Sequence, residues 1–183
     1  MQKIRCYQAA RRIFTGLCLA FAVTSANADD FTDLQKAAKG QTVYFNAWGG
    51  DAKINSYISW AGQIMADRHD ITLIHVKLTD TASAVSRILA EKAAGRQNGG
   101  SIDLLWVNGE NFAAMKRAGL LQDRPWVTSL PNWRYTDSKA LPAILSDFAE
   151  PTNGKESPWG RAQLVFSYDS TRLQTPPKSA AAL

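Results

Sequence analysis

Three times between Thr42 and Leu121 a short apolar run breaks at a polar turn and passes into an amphipathic helix, and no other feature constrains the fold as tightly. The clearest case is Ser101 to Leu121, SIDLLWVNGENFAAMKRAGLL. Here Asp103 to Val107 is bounded by Gly99-Gly100 and Asn108-Gly109, a length and flanking that suit a strand buried on both faces. Phe112 and Met115 then repeat at helical spacing, Lys116 and Arg117 fall in the last turn, and Gly119 is placed to stop the helix. Leu120 and Leu121 can fold back onto it.

The two earlier units follow the same plan. Phe31 to Lys39 predicts a short leading helix ended by Gly40. TVYFNA, Thr42 to Ala47, is a strand broken by Trp48-Gly49-Gly50-Asp51. Ile54, Tyr57, Ile58, Ala61 and Met65 then form the stripe of a helix lying on a sheet. Asp70 to Leu78 predicts the second strand. Thr79-Asp80-Thr81 turns it into a helix whose inner face is expected at Val85, Ile88, Leu89 and Ala93, with Gly95 ending it. Successive strand-helix units imply an α/β fold, a doubly wound parallel sheet with right-handed crossovers and helices on both faces. The regularity stops at Gln122. Asp123 to Asp147, with Pro125, Pro131 and Pro142, predicts surface loops and short helices; Glu150 to Glu156 predicts a turn-rich loop, and QLVFSY, Gln163 to Tyr168, the next apolar run. The closing segment, Thr175 to Leu183, ends in SAAAL, which is too short to persist as a helix alone.

Residues 1–28 stand outside this plan. Lys3, Arg5, Arg11 and Arg12 form a basic region, Ile13 to Val23 an apolar one, and Ala26-Asn27-Ala28 an A-x-A cleavage site, the layout of a secretory signal peptide and hence of export to the periplasm. The apolar run is short for a membrane span. Cys18 lacks the small-residue context of a lipoprotein cysteine. Removing the leader leaves 17 basic against 16 acidic residues, a net charge of +1, so the basic pI belongs to the export segment and no nucleic-acid partner is implied. Cys6 and Cys18 leave with it, and the 155-residue product has neither disulfide nor thiol chemistry. That length suffices for one domain burying about two-thirds of its unfolded surface.

In open α/β sheets ligands sit beyond the carboxyl ends of the strands, which makes the three turns the candidate site. Trp48, Gly49, Gly50 and Asp51 would turn backbone N–H groups toward a ligand, although Asp51 serves equally as a helix N-cap. The pattern is neither a dinucleotide fingerprint nor a P-loop. Asn108, Gly109 and Glu110 carry the same ambiguity, since Asn108 can cap and Glu110 can complement the helix dipole. Trp48 and Trp159, each beside a glycine, are candidates for stacking on a ligand ring or a cation, whereas Trp60 and Trp106 suit packing. No catalytic constellation emerges: there is no G-x-S-x-G elbow, and Asp169 with Ser170 lacks a base. His69 and His75 suit a surface and a packed position, and without a mature cysteine or paired-histidine spacing no metal or cofactor is expected.

Taken in order, TVYFNAWGGD, SIDLLWVNGENFAAMKRAGLL and SPWGRAQLVFSYDSTRL resemble the family 1 extracellular solute-binding proteins of ABC importers, nearest to their YnjB-like branch. The resemblance runs over about Gly40 to Leu183. It implies a type II periplasmic-binding fold, two α/β lobes clasping a solute and delivering it to a membrane permease, with no enzymatic activity. Carried over by position, the implied ligand contacts are Trp48, Gly49, Gly50, Asp51, Asp80, Thr81, Asn108, Gly109, Glu110, Trp159 and Gly160, and Leu164 to Tyr168 would be the crossover. The implied division is a solute-binding lobe at 29–168 and the beginning of a second lobe at 169–183. Family members are longer, so the chain is expected to be a monomeric N-terminal lobe cut off past the crossover, with weak or absent solute binding and an exposed apolar face. A small polar solute with a planar or cationic part, for example thiamine-like or polyamine-like, is expected. A periplasmic enzyme on the same scaffold and an inactive secreted fragment remain open alternatives.

Export is testable directly. Intact-mass analysis of the chain recovered from a periplasmic fraction should give a product beginning at Asp29; a retained leader would overturn cleavage.

Overall fold

The computed structural model describes residues 26–160, 165 and 167–182. The expected leader and both cysteines lie outside these residues, apart from Ala26 to Ala28, which open the first helix. Leu164 and Phe166 of the expected crossover are likewise outside; Val165, Ser167 and Tyr168 have no regular secondary structure.

The chain forms an α/β fold. Helix α1, Ala26–Ala38, ends where Gly40 takes a positive φ of 74°. Strand β1, Thr42–Trp48, leads through Gly49 and Gly50 to α2, Ala52–His69. Asp70, in the left-handed region, ends α2, and β2, Thr72–Leu78, follows. Then come α3, Thr81–Ala93, the short β3, Leu104–Leu105, and α4, Gly109–Arg117. The three strands form one parallel sheet in the order β2-β1-β3. β1 therefore has a neighbour on each side.

Strand alternation in β1 sorts its two faces. Phe45 and Ala47 are buried with Ile58 of α2, and Ile54, Leu73 and Trp106 pack against them. Asn46, between them in sequence, faces the opposite way and is fully buried. Passing from β1 to β2 and then back across β1 to β3 with right-handed crossovers puts α2 and α3 on opposite faces. Helices α3 and α4 pack on each other, and the Lys92 ammonium donates to the carbonyls of Ala118 and Gly119 at 3.0 and 2.9 Å, satisfying the C-terminus of α4. Phe112 and Met115 supply the buried face of α4, as their spacing predicts.

Three expectations need correction. β3 is not a five-residue strand buried on both faces: only Leu104 and Leu105 pair with β1, and Leu104 is 41 % exposed. The Asp103 carboxylate accepts the Tyr44 amide at 2.8 Å, so a side chain stands where the ladder would have begun. The inner face of α3 keeps Val85 and Ile88, both half-buried, but centres on the fully buried Ala84, while Ala93 is exposed and Leu89 is 50 % exposed. Trp60, expected in packing, is exposed beside Tyr57.

Beyond α4 the chain forms 3-10 turns at Val127–Ser129, Pro131–Thr136 and Pro142–Leu145, and then a hairpin of β4, Ser146–Asp147, and β5, Glu150–Pro151. The 3-10 turns agree with the proline spacing. The hairpin is additional to the expected loops.

Denaturant unfolding should separate the two helix faces. Ile58→Ala is expected to cost about 2–5 kcal/mol as a buried large-to-small change. Leu89→Ser should stay within about 0.5 kcal/mol, whereas an inward-facing Leu89 would cost several times more.

Candidate functional site

Parallel pairing brings the three turns to one edge of the sheet. Trp48 lies opposite Leu78 in register, and the Gly49 amide donates to the Leu78 carbonyl at 3.0 Å, extending the ladder past the end of β1. On the other side the Trp106 amide donates to the Asn46 carbonyl at 2.8 Å. The Thr81 hydroxyl donates to the Trp106 carbonyl at 3.4 Å, joining the second turn to the third. Trp48 to Asp51, Asp80 with Thr81, and Asn108 to Glu110 thus share the rim at the carboxyl ends of the strands.

A cavity of about 240 Å³ opens there, lined by Trp48, Gly49, Gly50, Lys77, Leu78 and Thr79. The indole of Trp48 folds over Gly50, where a Cβ would collide with it. Gly49 is equally constrained, since a Cβ would stand 2.7 Å from that of Lys77. Glycines are therefore needed for close approach of the walls, whether or not a ligand enters. A larger open groove of about 480 Å³ runs along α2 and β2, past Gly62, Gln63, Leu73 and His75, and shares Lys77 with the rim cavity.

The acidic residues of the rim hold their own helices. Asp51 accepts from the Ile54 amide at 2.9 Å and Asp80 from the Ala82 amide at 3.0 Å, so both act as N-caps. Asn108 makes no such bond to the backbone of α4; its side-chain oxygen instead accepts from Asn111 at 3.3 Å. Asn55, in the first turn of α2, donates to the Gly49 carbonyl at 2.9 Å and fixes the end of the first turn.

Trp159 lies elsewhere. Its ring packs against Trp106 at 4.9 Å between centroids, edge-on to Tyr57 at 5.7 Å and beside Phe45 at 6.4 Å, which places it on the α2 face of the sheet. Gly160 follows it, exposed and with open space where a Cβ would stand. His75 belongs to the same face, 6.3 Å from the Phe45 ring, with Nε2 3.4 Å from the Ala47 carbonyl.

Two residues at the rim escaped the sequence pattern. Lys77 precedes the second turn and its stem lines the cavity. Phe148, at the tip of the β4-β5 hairpin, rests on Gly109: a Cβ there would stand 2.7 Å from two carbons of its ring. The alternation of β2 could have located Lys77 on the α2 face. No turn-forming glycine or asparagine marked the hairpin that carries Phe148.

Beside the turn of that hairpin Asp147 forms a carboxyl pair with Glu156. Burial, followed by the nearby Asp147 carboxylate and a hydrogen bond to it, pushes Glu156 up to about 7. Asp147 Oδ2 and Glu156 Oε2 are both buried with no other partner, an arrangement satisfied by one proton held between them. Among the described residues no group of three or more His, Cys, Asp or Glu side chains is placed to hold a metal ion, and no helix is long and apolar enough to cross a membrane.

Comparison with known proteins adds a relationship. Protein YnjB of Escherichia coli (strain K12) is 50 % identical over 168 residues, covering 92 % of this chain and 42 % of that protein. The chain thus spans less than half the length of the curated relative it matches. That name describes no activity. No family model matches the chain.

The carboxyl pair gives a signed prediction. Because the folded chain retains a proton on Glu156 that the unfolded chain releases near 4.5, stability from this group is present below pH 4.5 and is lost as pH rises to about 7. Glu156→Gln should remove that component. Its melting temperature should exceed that of the wild type at pH 8, with the difference shrinking toward pH 4.5; parallel curves would show that no proton is shared.

Proposed function

We propose that this chain is the solute-binding lobe of a periplasmic capture protein that serves an ABC importer, with a type II periplasmic-binding architecture completed by a second lobe. The observation that carries this is the meeting of three polar turns at one edge of a parallel sheet, with a cavity and an exposed indole between the first two. Such an edge is where open α/β sheets take ligands. The segment matched in the E. coli relative is 42 % of that protein, which leaves ample length there for a second lobe. Export by a cleaved leader fits the same role.

The solute belongs to the small polar class with a planar or cationic part. Trp48 offers a ring face to it, and Asp51 sits at the mouth of the first turn. In this reading the lobe captures its solute and releases it unchanged. The permease is the expected partner, and closure of two lobes is what it would recognise.

Calorimetry on the E. coli relative, titrated in turn with thiamine and spermidine, tests this. One-to-one binding of a solute recovered unchanged is the expected outcome; a chemically altered solute would make the protein an enzyme, and heat from neither would overturn this solute class. In the present chain Asp51→Asn preserves a capping oxygen, so it should melt like the wild type while weakening the bound cation by about tenfold.

A further inference from the structure

Phe148 is 87 % exposed, the highest value of any large apolar side chain among the described residues, and its backbone lies in the left-handed region with φ 46°. Ala149 follows at φ 64°, so both central residues of the β4-β5 turn adopt a conformation that asparagine and glycine take readily and a bulky residue does not. The ring therefore neither contributes a buried core contact nor suits its turn. Surrounding contacts hold it there regardless. Lys116 of α4 pairs with the Glu150 carboxylate and donates to the Pro151 carbonyl at 2.6 Å. The amide of buried Thr152 donates to the Leu145 carbonyl at 2.9 Å, closing the hairpin from below.

What the ring rests on is Gly109, in the third turn of the rim. Only a residue without Cβ admits the ring this close, and Gly109 also has a positive φ of 29°. A strained, anchored and solvent-facing aromatic ring beside a candidate ligand turn is costly to fold and is the kind of feature found at ligand clamps.

We propose that Phe148 is an aromatic wall of the solute site at its Gly109 corner, receiving the planar, electron-poor part of the solute. This rests on the solute-capture function proposed above. A phenyl ring has no hydrogen-bonding atom, so what it selects is a flat face, and its quadrupole favours one that carries delocalised positive charge. The solute class narrows accordingly from polar cations in general to heteroaromatic cations, with flexible polyamines disfavoured.

The test uses the present chain with Phe148→Ala, Phe148→Tyr and Phe148→Gly, titrated with thiamine and spermidine to millimolar concentration by ligand-observed NMR, with melting temperatures recorded in parallel. The wild type should bind thiamine in preference to spermidine. Phe148→Ala should weaken thiamine by about tenfold, and Phe148→Tyr should restore it. Phe148→Gly should melt higher than the wild type, since glycine relieves the left-handed position. Thiamine binding undiminished in Phe148→Ala would overturn the role of Phe148 while leaving solute capture standing, as would a lower melting temperature in Phe148→Gly together with unchanged affinity. A preference for spermidine overturns the heteroaromatic class. A wild type that binds neither compound overturns the wall as a binding feature of this lobe, while solute capture itself stands or falls with the calorimetry on the longer E. coli relative.

Discussion

Everything at the rim depends on β1 being the central strand. Its seven residues pair in parallel with β2 from Thr42 opposite Thr72 to Trp48 opposite Leu78, while Phe45 and Asn46 pair with Leu104 and Leu105. Parallel pairing forces every strand to end at the same edge, so the turn after each must open there and each following helix must begin there. Phe45 and Ala47 bind α2 to one face. Asn46 occupies the other, fully buried, its Oδ1 with no partner and its amide only 3.4 Å from the Tyr44 carbonyl. A polar side chain in that position weakens the centre of the sheet, so β1 is held by its backbone ladder and by Phe45 and Ala47.

Much of this was legible in the sequence because local chemistry and tertiary packing agree there. Asp51 and Asp80 precede helical stripes and do cap them, and Gly40, Gly95 and Gly119 stop helices with positive φ. β3 was overestimated because an apolar run reports burial and not pairing. Asp103 uses its carboxylate on the Tyr44 amide, and nothing in LLWV announces that. In α3, Leu89 and Ala84 lie five residues apart on opposed sides of a small helix, and hydrophobicity favoured the larger residue while the close approach of the sheet selected the smaller. The hairpin at Phe148 was hidden for the reason that makes it notable: its turn residues have the wrong propensity for their φ values.

The same distinction applies to the tryptophans. Trp48 and Trp159 have similar sequence surroundings, an indole next to glycine, yet one lines the rim cavity and the other stacks on Trp106. Trp159 is still 48 % exposed, and Tyr57, Trp60 and Leu104 are exposed near the same face or edge. These aromatic contacts give the α2 face an apolar character that so small a core does little to cover.

Electrostatics at the rim are close to balanced. Helices α2, α3 and α4 each begin at this edge, and each N-terminus contributes roughly half a positive charge. Lys77 adds a full one at the cavity wall. Against them stand Asp51, Asp80 and Glu110, two of which already accept amides of their own helices. Near-cancellation follows, with neither sign large enough to capture an ion by field alone. Under the proposed function recognition would come from shape and from ring faces, and the rim carries Trp48 at one corner and Phe148 at another. Under the proposed function a compact flat solute of low net charge would satisfy that balance better than a multiply charged chain, whose additional ammonium groups would meet three helix N-termini with Glu110 the one rim carboxylate not engaged by its own helix.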